Sequence, residues 1–312
     1  MSFNDLKKIE QYQFYLDKAI SRAQNKASLA RTKTSKEYPI VKSKRIELLK
    51  INIIADILRQ ELKKIVDEFP RIDDLDNFYR ELVKLSLDHG LLKKSLGSLN
   101  WAHNKVTEFN TLYSNKINRA REISTINGYR REFYGRISSL MKQMKEYLFN
   151  IEESRKIMRK FPSIKTSLKT IAISGFPNVG KTTLLTKVTN SKAKIANYAF
   201  TTKGINLGYY EGEKEKIQFI DTPGTLNRFN KMNIHEQQAY LALKYLAEKI
   251  IYVFDLTESS YPLSEQIKLY EDISKLEKPM FVYLSKTDLI KEIPKEFLKN
   301  YKIIKADMAH KI

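Results

Sequence analysis

An α/β domain preceded by an all-α bundle is the architecture this sequence predicts, and three observations support it. Residues 1 to about 160 keep apolar positions at helical spacing, with few glycines and no strand-like alternation. From about residue 165, short apolar runs alternate with helical patterns, as in a mostly parallel sheet flanked by helices. Between the two lies Gly175-Phe176-Pro177-Asn178-Val179-Gly180-Lys181-Thr182, a glycine loop set between a strand pattern and a helix pattern. The expected domains are 1–162 and 163–312, matching the two domains of ordinary size that 312 residues can hold.

In the first domain, helix breaks are expected at Tyr38-Pro39, Phe69-Pro70, Gly90 with Gly97, Gly128 and Phe161-Pro162. Ile46, Leu49, Ile53 and Ile57, with Leu48, Ile54 and Leu58, form an apolar face opposite Glu61, Lys63 and Lys64. Asp73-Asp74-Leu75-Asp76 reads as the acid-rich start of a helix, and Trp101 with Leu99 and Val106 as core. Residues 116–165 hold 13 basic against 5 acidic side chains. There Arg119, Arg121, Arg130, Arg131 and Arg136 alternate with Tyr129, Phe133 and Tyr134, and Arg155 and Arg159 follow. This mixture suits an RNA surface, with Arg on phosphate and planar groups on exposed bases. A long helix with a solvated basic face is the alternative.

In the second domain, Thr170-Ile171-Ala172-Ile173-Ser174 reads as a buried strand and Thr183 to Val188 as a helix. Gly175 and Gly180 let successive N–H groups, including those of Phe176, Pro177's neighbours and Val179, turn toward an anion at a helix start. Lys181 would reach the β and γ phosphates of a nucleoside triphosphate, and the Thr182 hydroxyl would ligate Mg²⁺. In the polar loop Tyr198-Ala199-Phe200-Thr201-Thr202-Lys203-Gly204, Thr201 or Thr202 could complete the Mg²⁺ shell, and Thr202 is the choice. The strand pattern Lys216 to Ile220 leads into Asp221-Thr222-Pro223-Gly224, where Asp221 would hold Mg²⁺ through water and the Gly224 N–H would bond the γ phosphate.

After the apolar run Met280 to Leu284 stands Ser285-Lys286-Thr287-Asp288. Asp288 can accept from N1–H and the exocyclic amine of guanine, whereas adenine would leave that carboxylate unpaired, so GTP and GDP are the expected ligands. The Lys286 stem would lie along the base plane.

Together these motifs resemble the Obg group of GTPases and, within it, the nucleolar GTP-binding protein (Nog) family of large-subunit ribosome assembly factors. The residues that carry the resemblance are the glycine loop, Tyr-Ala-Phe-Thr-Thr-Lys, Asp-Thr-Pro-Gly, Phe161-Pro162-Ser163-Ile164, and Pro262 to Ile267. The resemblance implies a helical amino-terminal domain, guanine-nucleotide binding, slow hydrolysis and pre-ribosome binding. It also implies a backbone N–H near Ala306 as the last guanine contact, and K⁺ held partly by Asn178 beside the phosphates. Lys181, Thr202 and Gly224 complete the catalytic set with Asn178.

The chain departs from the family pattern in three places. Ser285 replaces the usual Asn of the guanine loop, which suggests weaker affinity, and Lys305-Ala306-Asp307 replaces a Ser-Ala pair. The pattern's closing helix would begin where the sequence reaches Ile312, so either the chain is trimmed there or the domain is short. Thr225 stands where small GTPases carry the water-orienting Gln, and His235 reads as a surface residue at a helix start.

Both halves are basic: residues 1–160 hold 33 Lys and Arg against 20 Asp and Glu, within a net charge of +20. With no cysteine, the chain forms no disulfide or thiolate metal site. It lacks the long apolar stretch of a membrane span and the apolar core of a signal peptide. The expectation is a cytoplasmic monomer whose partners are large-subunit rRNA and assembly intermediates. It would act as a GTP-driven switch, the rivals being a non-cycling nucleotide-binding scaffold and a tRNA- or membrane-linked GTPase.

Overall fold

The computed structural model describes residues 3–32, 38–189, 206–212, 215–222, 234–290 and 292–312. They form two compact units. One comprises Asn4–Arg71 and Leu87–Arg159; the other comprises Lys160–Ile312 with Ile72–Ser86 and Phe3.

The first unit is a bundle of α1 (Tyr12–Thr32), α2 (Pro39–Glu68), α4 (His89–Arg119), α5 (Ile123–Gln143) and α6 (Lys145–Met158), whereas α3 (Asn77–Ser86) belongs to the other unit. Tyr15, Ala19, Ala23 and Ala27 recur every four residues on the buried face of α1, and small side chains there let it approach α2 closely. Pro39 starts α2 at a position where its missing N–H costs nothing. Its buried face is set by Ile46, Ile51, Ile54, Ala55, Leu58 and Leu62, while Leu48, Leu49 and Ile53 are only half-buried. That face also takes in a charged pair, Lys50 Nζ donating to Glu47 Oε1 at 2.7 Å.

A break falls at Leu87-Asp88, two residues before Gly90, but none occurs at Gly97, inside α4, or at Gly128, inside α5. A Cβ added at Gly97 or Gly128 would meet nothing within 4 Å. An exposed helical glycine costs only about 1 kcal/mol, which packing of the opposite face outweighs. The chain breaks instead at residues 120–122 and at Met144. Trp101, expected in the core, is 45% exposed, because the core face of α4 runs through Leu99, Ala102 and Val106.

The second unit is a five-stranded sheet in the order β2-β3-β1-β4-β5: β1 (Thr170–Ser174), β2 (Asn206–Glu211), β3 (Lys216–Asp221), β4 (Lys249–Asp255) and β5 (Met280–Ser285). Only β2 runs antiparallel, against β3. β1 is buried along its whole length and β4 along all but its first residue, as strands covered on both faces must be. α7 (Lys181–Val188), α8 (Ile234–Tyr245), α9 (Leu263–Ser274) and α10 (Lys295–Asn300) complete the unit. β1 is followed on one side by β3 and on the other by β4, so its carboxyl end is the topological switch point where ligands of such sheets sit.

α3 packs on α8, and its Tyr79 anchors it to the segment entering β1. The Tyr79 hydroxyl lies 2.7 Å from Pro162 O and accepts from Ile164 N at 2.8 Å. Burial pushes this phenol up to about 12, so it stays a donor. Thr166 Oγ1 donates to Asp76 Oδ2 at 2.5 Å. Tyr79→Phe leaves a buried carbonyl and a buried N–H unpaired and is expected to cost about 2 kcal/mol, read by urea unfolding; a loss below about 0.5 kcal/mol would contradict this role.

Candidate nucleotide site

The glycine loop follows β1 at the switch point and turns through three left-handed residues, Gly175 (φ 142°), Asn178 (φ 61°) and Gly180 (φ 97°). Asn tolerates that region better than most residues, so the backbone curls without a third glycine. At Gly175 a Cβ would lie 2.6 Å from Val253 O, so no side chain fits between the loop and β4. At Gly180 it would lie 3.2 Å from Ser285 Cβ, which places the loop directly against the end of β5. Phe176 stacks its ring 4.4 Å from that of Tyr261.

Lys181 opens α7 and is buried, its ammonium donating to Phe176 O at 2.6 Å. Burial, only partly offset by Asp221, lowers its pKa to about 8. Thr182 Oγ1 donates to Asp221 Oδ2 at 2.7 Å, and Asn206 Nδ2 to the same oxygen at 3.0 Å. The other oxygen, Oδ1, is buried with no partner. Burial pushes the Asp221 carboxyl up against the opposing pull of Thr182, Asn206 and Lys181. A hydroxyl and an under-bonded carboxylate at a helix start are the hard oxygen donors Mg²⁺ takes. Among the described residues no group of three or more His, Cys, Asp or Glu could hold a metal unaided, so the ion would need phosphate oxygens to complete its shell. Thr222 fixes the exit from β3, its N–H and hydroxyl each 3.0 Å from Ile173 O.

At the end of β5, Ser285 Oγ donates to Phe254 O at 3.1 Å, and Lys286 (φ 50°) donates to Asp255 Oδ2 at 2.6 Å. Asp288 is exposed on the 3-10 turn Thr287–Leu289, and Ala306 opens the turn Ala306–Met308, which packs on α7. Val179 is buried, Pro177 half-buried, and Asn178 and Thr183 exposed. Thr201, Thr202, Gly224 and Thr225, and the side chain of His235, lie outside the described residues.

In the bundle, Arg119, Arg121, Arg131, Arg136 and Arg159 are exposed. Arg155 is not available as an RNA contact: it is buried, bonds Glu152 through Nε (2.7 Å) and a terminal nitrogen (2.8 Å), and donates to Leu6 O. Arg130 is half-buried, 3.6 Å from Glu47. Phe133 is core, edge-on to Tyr113 at 5.8 Å, so the aromatic part of the expected surface reduces to Tyr129 and Tyr134.

Residues 3–165 match the model of the NOG1 N-terminal helical domain. The chain belongs to the nucleolar GTP-binding protein (Nog) family. Residues 170–286 of this Nog-family chain match a second model, the 50S ribosome-binding GTPase. An uncharacterised protein of Methanocaldococcus jannaschii is 38% identical over 88% of this chain and 77% of its own length. Nucleolar GTP-binding protein 1 of Drosophila melanogaster is 30% identical over 90% of this chain and 44% of its own length. The chain thus spans less than half of that relative. A solved Plasmodium falciparum structure titled nucleolar GTP-binding protein 1 is 29% identical over 46% of this chain and 77% of that one, with a TM-score of 0.39.

Two residues of this Nog-family site were missed from sequence. Asn206 belongs to no motif, and its signal is the antiparallel register that sets it opposite Asp221. Asp255 stands in no motif, although a carboxylate at the end of a buried apolar run must find partners.

Proposed function

We propose that this chain binds GTP and GDP with Mg²⁺, hydrolyses GTP slowly, and serves as a switch in large ribosomal subunit assembly. The observation that carries the reading is the hydrogen-bonded group Thr182, Asp221 and Asn206 at the β1 switch point, with the buried Lys181 ammonium on the glycine loop beside it and the Lys286-Asp288 turn at the end of β5. Lys181 supplies a buried positive charge for the β and γ phosphates, and Asp288 reads the guanine edge. Thr182, Asp221 and Thr202 would hold Mg²⁺, which when bound neutralises phosphate charge. Thr202 and Gly224 would respond to the γ phosphate and alter the affinity of the bundle for rRNA. Thr225 offers no side-chain amide to orient water, and a K⁺ ion assisted by Asn178 would stand in for an arginine finger by stabilising the developing phosphate charge. The chain would work as a cytoplasmic monomer on assembly intermediates; among the described residues no helix is long and apolar enough to cross a membrane.

Single-turnover hydrolysis in K⁺ and Na⁺ buffers, with and without large ribosomal subunits, tests this. Faster turnover in K⁺ and with subunits is expected. Equal rates in the two cations would remove K⁺ from the account, and tight binding without turnover would favour the non-cycling scaffold, the reading Thr225 supports.

Arg119, Arg131 and Arg136, all exposed, are the residues proposed to meet rRNA phosphate. Changing all three to Glu should weaken rRNA binding at least about tenfold and flatten its dependence on salt. GDP affinity should stay within about twofold, since the bundle forms a unit of its own. Unchanged rRNA affinity in a filter-binding assay would remove these arginines from the interface.

A further inference from the structure

We propose that Asp255 is a positioning residue for the nucleobase, holding the Lys286 ammonium so that the lysine stem is presented to the face of the base. The inference rests on the guanine reading of Ser285 to Asp288. β4 and β5 end side by side, with Asp255 paired to Ser285 in parallel register. The residue after β5 therefore reaches back across the end of β4.

The Asp255 side chain is 1% exposed and is held by four donors. The Thr257 N–H and hydroxyl lie 3.0 and 2.5 Å from Oδ1, and Ser259 Oγ and Lys286 Nζ lie 3.0 and 2.6 Å from Oδ2. Burial opposes the charge, but Lys286 and the Thr257 and Ser259 donors outweigh it and keep the carboxyl below its ordinary range. Lys286 Nζ also donates to Ser259 Oγ at 2.7 Å, so two acceptors fix the ammonium. Gln266, fully buried, locks the backbone of the same residue: its Oε1 accepts from Asp255 N and its Nε2 donates to Asp255 O, each at 2.9 Å.

Removing the ammonium would strand a buried carboxylate, which is far costlier than breaking a surface pair. Lys286 therefore offers a ligand its methylene stem and keeps its charge on Asp255. The pair also holds Lys286 at φ 50°, in the left-handed region that non-glycine residues avoid. Such strain persists only where the surroundings impose it. Ser285 sends its hydroxyl to Phe254 O and meets the glycine loop by packing at Gly180, so the tie that orients this turn comes from β4.

The experiment is a double-mutant cycle read as GDP affinity by fluorescent-nucleotide titration, using the full chain. In Asp255→Asn the amide oxygen can keep the Thr257 N–H and hydroxyl, whereas the amide N–H at the former Oδ2 position offers Ser259 no acceptor and meets the ammonium donor to donor, displacing it. GDP affinity should fall about tenfold in Asp255→Asn, and about threefold in Ser259→Ala, an exposed change that leaves the buried carboxylate in place. In the Lys286→Ala background both changes should lose their effect, the double variants binding GDP no more weakly than Lys286→Ala alone. A merely structural role for Asp255 would multiply with the loss of Lys286, and that outcome would overturn the inference, as would effects below twofold in both single variants. Wild-type protein preferring GDP no more than ADP would overturn the guanine reading itself, and this inference with it.

Discussion

Lys181→Met is expected to lower GDP and GTP affinity by at least about a hundredfold, and at the same time to stabilise the nucleotide-free protein at pH 7. Each charge-assisted contact to phosphate contributes about 1.5–3 kcal/mol, and Lys181 would supply two. The stability gain follows from burial. The ammonium titrates near 8 against an ordinary 10.5, and each unit is worth about 1.4 kcal/mol, so the charged form costs on the order of 3 kcal/mol. Methionine fills the same channel without charge but leaves Phe176 O without its donor, which returns about 1 kcal/mol. A net gain of about 2 kcal/mol is the result.

The pH dependence has a definite sign. Between about 8 and 10.5 the unfolded chain holds a proton on Lys181 that the folded chain has released, so this residue makes stability rise with pH across that window. Bound phosphate favours the ammonium, so nucleotide binding takes up a proton above pH 8. GDP affinity should therefore fall as pH rises past 8, by up to about tenfold per unit. Both slopes should be missing in Lys181→Met, and urea unfolding with GDP titration at pH 7 and 9 reads them. A variant less stable than wild type at pH 7 would contradict the buried-charge account.

Gly175→Ala should be the most destabilising single methyl group in the α/β unit. At φ 142° the new Cβ would stand 2.6 Å from Val253 O and 3.2 Å from Val179 Cγ2, and neither the β4 backbone nor a buried valine can yield freely. Backbone strain of about 1–3 kcal/mol adds to a similar cost of overpacking, giving about 3 kcal/mol in all. The loop N–H groups would turn away from the phosphate position as β1 and β4 separate, so GDP affinity should fall by more than about tenfold. Urea unfolding checks the first figure; a cost below about 1 kcal/mol would mean that the loop relaxes without disturbing β4.

Much of the α/β unit could be read from sequence because its signals are local. A short apolar run, glycines where the chain must turn left-handed, and a helical pattern beginning with Lys181 give strand, loop and helix in order. What could not be read depends on partners distant in sequence. Residues 77–86 have the same helical periodicity as the bundle helices, and it is packing on α8 with the Tyr79 bonds to Pro162 and Ile164 that assigns them to the sheet unit. Trp101 and Arg155 were misplaced for the same reason: spacing names a helix face, but the neighbouring helices decide whether that face is covered. Asp255 lacks any local motif, and its role emerges only when the register of β4 against β5 brings Lys286 within 2.6 Å.

Under the proposed switch, nucleotide state at the glycine loop would govern how strongly the basic bundle holds large-subunit rRNA. Cosedimentation of the chain with large ribosomal subunits, in a non-hydrolysable GTP analogue and in GDP, tests it most directly. Affinities at least about tenfold apart are expected, a coupling of the size typical of two-state switches. Equal affinity in the two nucleotides would contradict the switch and leave a scaffold that binds guanine nucleotide without using it.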